Sequence, residues 1–168
     1  LALETVARQT GPMAVLLGLP LSHRGRLYNC AAVLQHGGVL GVSVKGVLQR
    51  GGDFFETRWF TGPQGAPEGI LLLGKTVPFG LNLLFETALF SFAVEIGREA
   101  WGPSPPSCAY APAGAQVIFN LSADNELAGR HPRRQELLRQ QSRRCRCGYV
   151  YAGAGYGEST TDLVFSGF

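Results

Sequence analysis

Apolar residues along this chain gather into nine short runs, punctuated by glycine, proline and charged positions. The runs at 13–19 (MAVLLGL), 27–35 (LYNCAAVLQ), 38–45 (GVLGVSVK), 69–74, 82–87, 91–96, 115–121 (AQVIFNL), 148–154 and 162–166 have strand length and predict β-strands. The second and third meet across His36-Gly37, a hairpin-type link. A strand with one wet face alternates apolar and polar residues, but VLLGL and QVIFNL are apolar on both faces. They predict a sheet covered on both sides, and hence the α/β class. One late segment, 132–145, reads as a helix with Pro132 at its start, and residues 1–10 (LALETVARQT) read as the tail of a helix. Between 46 and 68 the periodicity gives way to Gly51-Gly52, FFETRWF and TGPQGAPEG, where Phe54, Phe55, Trp59 and Phe60 predict a packed loop. No internal repeat is apparent. VFSGF ends abruptly, so the expectation is one domain over 1–168, incomplete at both ends.

Composition narrows the class. With 168 residues, 45% hydrophobic and 16% charged, the chain can bury a real core and is not disordered. Its longest apolar runs fall far short of the ~20 residues that a bilayer crossing needs, so no membrane partner is expected. The formal charge of +3 is unevenly placed: residues 130–146 hold seven Arg against one Glu, leaving the rest mildly acidic. Lysine is scarce, with only Lys45 and Lys75 beside 13 arginines, which draws attention to a lysine on an apolar strand. The four cysteines, Cys30, Cys108, Cys145 and Cys147, lack C-x-x-C spacing. They predict four reduced thiols and a cytoplasmic location.

Several motifs are too weak to carry chemistry. GAGYG (153–157) lacks dinucleotide-loop spacing and precedes ESTTD and a strand. GVSVKG (41–46) misses a serine-hydrolase elbow by one residue. His23, His36 and His131 have no metal-ligand spacing, and no metal site is expected. The arginine helix could hold phosphates, but a solvated face or subunit contact is the commoner use of such a pattern. A nucleic-acid partner is not expected.

Five stretches taken together are more specific: GLPLSHRGRLYNCAAVL (18–34), VKGVLQRGGDFFETRWF (44–60), VPFGLNLLFE (77–86), FAVEIGREAW (92–101), and VIFNLSADNELAGR with CGYVYAGAGYGESTTDLVFSG within 117–167. In order and spacing this set resembles the glutaminase domain of glutamine-dependent NAD+ synthetases, within the nitrilase (carbon–nitrogen hydrolase) superfamily. The resemblance covers essentially the whole chain. It implies a four-layer α-β-β-α sandwich and hydrolysis of glutamine to glutamate and ammonia by a Glu-Lys-Cys triad. The cysteine thiolate attacks the amide carbon, the glutamate moves protons and the lysine steadies the oxyanion. The ammonia then passes to a separate synthetase domain, which uses ATP and Mg. No cofactor is expected in this chain itself, and a synthetase domain or homo-oligomer contacts are the implied partners.

At the reacting positions the resemblance implies loss. Lys45 matches the family lysine, although Val44 replaces the proline before it. The nucleophile belongs in a pattern like V-E-I-C-E-D-L-W, which here runs from Val94 to Trp101 and puts Gly97 at the cysteine and Arg98 at the acidic residue after it. Gly97 lies 52 residues after Lys45, the family spacing. Among pocket positions, a tyrosine falls on Gly51, a serine on Asp124, and a basic residue on Arg130. The catalytic glutamate normally lies before the point where this chain begins. None of the four cysteines stands where it could replace the lost thiol. The expectation is a fragment of a glutaminase domain without amidase activity. The alternatives are a non-catalytic interaction or oligomerisation module, and a related carbon–nitrogen hydrolase completed by missing segments.

Overall fold

The computed structural model describes residues 2–51 and 54–167; Gly52, at the predicted loop, lies outside them. The chain forms two compact units, Leu1–Leu83 and Leu84–Phe168. Unit 1 opens with helix α1 (Ala2–Gln9), followed by β1 (Val15–His23), β2 (Arg26–Gln35), β3 (Gly38–Val44), β4 (Glu68–Leu72) and β5 (Lys75–Gly80). These strands make one sheet in the order β1-β2-β3-β5-β4, antiparallel except for β3 beside β5.

Three two-residue turns set its registers. Arg24-Gly25, His36-Gly37 and Leu73-Gly74 all have positive φ at both positions. That is the conformation whose twist suits a tight hairpin, and glycine takes the second position each time. In β2, Cys30 to Leu34 are all buried, so both of its faces are covered, whereas VLLGL in β1, expected to be covered on both faces, is only half-buried with Gly18 exposed. One face packs Tyr28, Cys30, Ala32 and Leu34 with Val42, Val44, Phe79 and the α1 residues Leu3, Val6 and Ala7.

One strand was not foreseen. The run predicted at 69–74 ends at Leu72 and turns back as β5, through Pro78. Proline cannot donate to a ladder. It is tolerated because the pairing of β5 with β3 runs through Phe79 and Gly80, past Pro78. The strand predicted at 82–87 shrinks to two residues.

Unit 2 holds β6 (Phe85–Glu86), β7 (Ser91–Ile96), β8 (Val117–Ser122) and β9 (Gly148–Gly153) in sequential order, with β7, β8 and β9 parallel. Parallel strands need crossovers, here helices α2 (Ser107–Tyr110) and α3 (Arg130–Cys145). Ala93 and Ile118 from the sheet pack with Tyr110, Ala115, Cys145 and Cys147. The helix starts two residues earlier than predicted, after Gly129 at φ 76, and ends at Arg146 at φ 53.

The strand predicted at 162–166 is absent. The Thr160 hydroxyl accepts from the backbone N–H groups of Asp162 and Leu163 at 3.2 and 3.1 Å, folding the segment into a turn. Its Phe165 is buried, and Val164 and Gly167 bond individually to Glu126 and Ala154.

Candidate functional site

The candidates divide between the units: Lys45 lies in unit 1, and Gly97, Arg98, Asp124 and Arg130 lie in unit 2. Lys45 follows the last residue of β3, and its N–H donates to the Asn29 carbonyl of β2 at 2.8 Å. Its side chain does not reach for water. It is 4% exposed and donates from Nζ to both oxygens of Glu56, at 2.8 and 2.7 Å. The same carboxylate accepts from Asn29 Nδ2 at 3.0 Å and from the Gln49 backbone at 2.9 Å. Glu56 is the glutamate of FFETRWF, in a short 3-10 turn Glu56–Arg58. A buried ion pair survives only when its desolvation is offset by good geometry and further hydrogen bonds, and this one has both. Sequence reading quoted the motif without assigning Glu56; a charge amid four aromatics was the available signal.

In unit 2, β7 runs into a 3-10 turn, Gly97–Trp101, and Gly97 has φ +61. This is a sharp strand-to-helix elbow in the left-handed region, free for glycine and strained for any side chain. Glu99 braces it by accepting from the Ile96 backbone at 2.8 Å. Asn120 of β8 donates to the Gly97 carbonyl at 3.1 Å and to the Tyr149 hydroxyl at 3.3 Å. Tyr149 in turn donates to Glu95, whose other oxygen accepts from the Ser107 backbone at 2.5 Å. Burial, and then the Glu95 carboxylate, push the Tyr149 phenol above its usual range, so it serves as a donor. Glu95 is fully buried. The lone acid inside VEI was its sequence signal, and it was missed.

Arg98, Asp124 and Arg130 do come together. Asp124 Oδ1 lies 3.5 Å from Arg98 Nε and 3.2 Å from Arg130. Its Oδ2 accepts no hydrogen bond among the described residues and faces Arg134 at 4.0 Å. Arg130 also donates to Asn125, through the backbone carbonyl at 3.2 Å and through the side-chain oxygen. Arg134 is 2% exposed, pairs with Glu126 at 3.0 Å and lies over the Tyr151 ring. Burial raises Glu126, but hydrogen bonds from Ser166 and Arg134, with the Arg134 charge, outweigh it and leave the carboxyl below its usual range. The arrangement is a charge network around one buried carboxylate. The sequence pattern predicts a solvated face or a subunit contact for the arginines of this helix, but Arg134 turns inward.

No family model matches the sequence. Among proteins of established name, the chain is 42% identical over 169 residues to the glutamine-dependent NAD(+) synthetase of Mycobacterium bovis, covering 98% of this chain and 25% of that protein. The match falls on the glutaminase part of glutamine-dependent NAD(+) synthetases, and it is this region that the chain resembles. The chain spans about a quarter of the length of the relatives it matches. A crystal structure of the synthetase from Cytophaga hutchinsonii superposes with a TM-score of 0.86 at 29% identity, over 98% of this chain and 27% of that one. A carbon–nitrogen hydrolase superfamily protein from Xanthomonas campestris shares the fold at a TM-score of 0.59 and 12% identity, over 89% of this chain and 51% of that one. The fold is therefore a partial, nitrilase-type α/β fold, as the resemblance implied. No helix among the described residues is long and apolar enough to cross a membrane.

Proposed function

We propose that this chain is a glutaminase-domain segment that does not hydrolyse glutamine. The observation that carries the reading is Gly97, a residue with no side chain at the elbow where the family pattern puts its thiol. Amide hydrolysis through a thioester needs a sulfur at that turn, and misplacing a nucleophile by about 1 Å costs on the order of a hundredfold in rate. Arg98 supports the reading, because it sets a cation against Asp124 where an acidic side chain is the family choice. Lys45, held by Glu56, is the one reacting position of the family pattern that this chain retains.

In this reading the pocket positions Arg98, Asp124 and Arg130 no longer hold an amide substrate but hold one another. Glutamine is the family substrate, a synthetase domain is the natural partner, and ATP and Mg belong to that domain. The test is ammonia release from glutamine, with a cysteine-alkylating inhibitor as control. No release above background is expected. Turnover that the alkylating agent abolishes would show that Cys30, Cys108, Cys145 or Cys147 has taken over, and would overturn the reading.

A second reading, a non-catalytic interaction module, is favoured by α3. Arg133, Arg139, Arg143 and Arg144 are exposed along it. If this face is a subunit contact, Arg139→Glu with Arg143→Glu changes the oligomer mass seen by light scattering. An unchanged mass rejects that contact.

A further inference from the structure

Three of the four cysteines are gathered at one place by α2 and the end of α3. Gln141, buried in α3, donates from Nε2 to Ser107 Oγ at 2.7 Å, to Cys108 Sγ at 3.4 Å and to Cys145 Sγ at 3.5 Å. Two sulfurs that share one nitrogen at those distances are at most about 7 Å apart, and closer where the angle at nitrogen is narrow. Cys145 is close enough to Cys108 and Cys147 for the charge of either to be felt at its thiol. Cys108 and Cys145, both only half-buried, line a surface cavity of about 430 Å³ with Ala111, Pro112 and Arg144. Cys30 is a contrast: it is fully buried in the other unit.

We propose that Cys108 and Cys145 form an oxidation site that closes into a disulfide when the chain meets a peroxide. The Cys108 thiolate attacks the O–O bond of hydrogen peroxide, taking one oxygen as a sulfenic acid while the other leaves as water. The Cys145 sulfur then attacks the Cys108 sulfur. The S–S bond forms, the S–O bond breaks, and the departing hydroxide leaves as water with the Cys145 proton. Two thiols and one peroxide give one disulfide and two waters; the sulfurs are oxidised and the peroxide is reduced. The order follows from the surroundings. Burial, with the neighbouring Cys108 and Cys147, pushes the Cys145 thiol up to about 11, so Cys145 keeps its proton and is not the sulfur that meets the peroxide first. Pairing of Cys145 with Cys147 instead would have to close across Arg146, whose left-handed backbone ends α3, and Cys147 is the more buried thiol.

The experiment treats the whole reduced chain with hydrogen peroxide under native conditions, blocks remaining thiols with iodoacetamide and maps the peptides by mass. A parallel sample is treated in urea. The native sample is expected to lose about 2 Da and two of its titratable thiols, and both return with dithiothreitol. Its cross-linked peptide joins Cys108 to Cys145. Cys108→Ser is expected to abolish the link and Cys147→Ala to leave it in place. A native Cys145–Cys147 link, added oxygen on Cys108 without a cross-link, or the same scrambled pairing native as in urea would each overturn the proposal. The wild-type map decides it even if a variant fails to fold.

Discussion

The two units treat buried charge differently. In unit 1 one lysine meets one glutamate, and Asn29 and the Gln49 backbone complete the carboxylate's contacts. In unit 2 three arginines converge on Asp124, one of its oxygens accepts no hydrogen bond among the described residues, and Glu126 answers only part of the excess positive charge. The first arrangement is closed and neutral. The second is open-ended, built from residues scattered over 98–134. The elbow and the strand registers are formed in unit 2, while Arg98, Asp124 and Arg130 beside the elbow pair with each other.

The sharpest way to break the comparison is to unpair each cluster. Lys45→Met leaves the Glu56 carboxylate buried without its counter-ion and is expected to cost about 3–5 kcal/mol of stability in urea unfolding. Adding Glu56→Gln should recover a large part of that loss. A cost below about 1 kcal/mol for Lys45→Met would mean that the pair is not held as tightly as its geometry suggests. Asp124→Asn removes the shared carboxylate from a buried arginine, and a loss of about 2–3 kcal/mol is expected. Arg98→Gln, at a partly exposed partner 3.5 Å from Asp124, should cost less than about 1 kcal/mol.

Alkaline pH tests the core of unit 1. Burial pushes the Cys30 thiol from 9.0 to about 12. The unfolded chain therefore releases this proton first. Stability is whole below pH 9 and falls by about 1.4 kcal/mol per pH unit up to about 12. Comparison of denaturation midpoints for wild type and Cys30→Ala at pH 8 and 10.5 checks this; parallel pH profiles would remove Cys30 as the cause.

Gly97→Cys places a side chain at φ +61 and should destabilise by about 1–2 kcal/mol without conferring glutamine hydrolysis. Adding Arg98→Glu sets a carboxylate toward Asp124 in place of a cation, so the double variant should be less stable again by differential scanning calorimetry. The smallest effect is expected at Glu126. Its carboxyl is lowered in the folded state, so its contribution is present above about pH 4.5 and fades as pH falls below that. Glu126→Gln should flatten the acid side of the stability profile, and an unchanged slope would discount the Arg134 and Ser166 contacts as its cause.

Much of the scaffold was legible in the chain itself. The apolar runs foretold β2, β3, β7, β8 and β9 to within a few residues, because their pattern is set by burial on one or both faces. The Arg-rich helix and the His36-Gly37 turn were equally local in origin. Family spacing singled out Lys45, Gly97, Arg98, Asp124 and Arg130 by motif alone. Where local preference and tertiary pairing conflict, the reading failed. β5 is not among the strands that the pattern predicts, and it forms with Pro78 inside it because its pairing with β3 runs through Phe79 and Gly80. The run at 162–166 reads as a strand, yet the Thr160 hydroxyl bends the chain before a ladder can form.

The sequence by itself determined the alternation of strands and turns, the glycine at the elbow and the absence of a thiol there. Only the tertiary structure decided which charges neutralise one another and which sulfurs become neighbours. Lys45 and Glu56 are 11 positions apart, Glu95 and Tyr149 are 54 apart, and Cys108 reaches the sulfur of Cys145 through Gln141. No periodicity encodes such pairs. They are selected because a buried charge or polar atom without a partner costs several kcal/mol, and partners become available only after the strands and helices have packed.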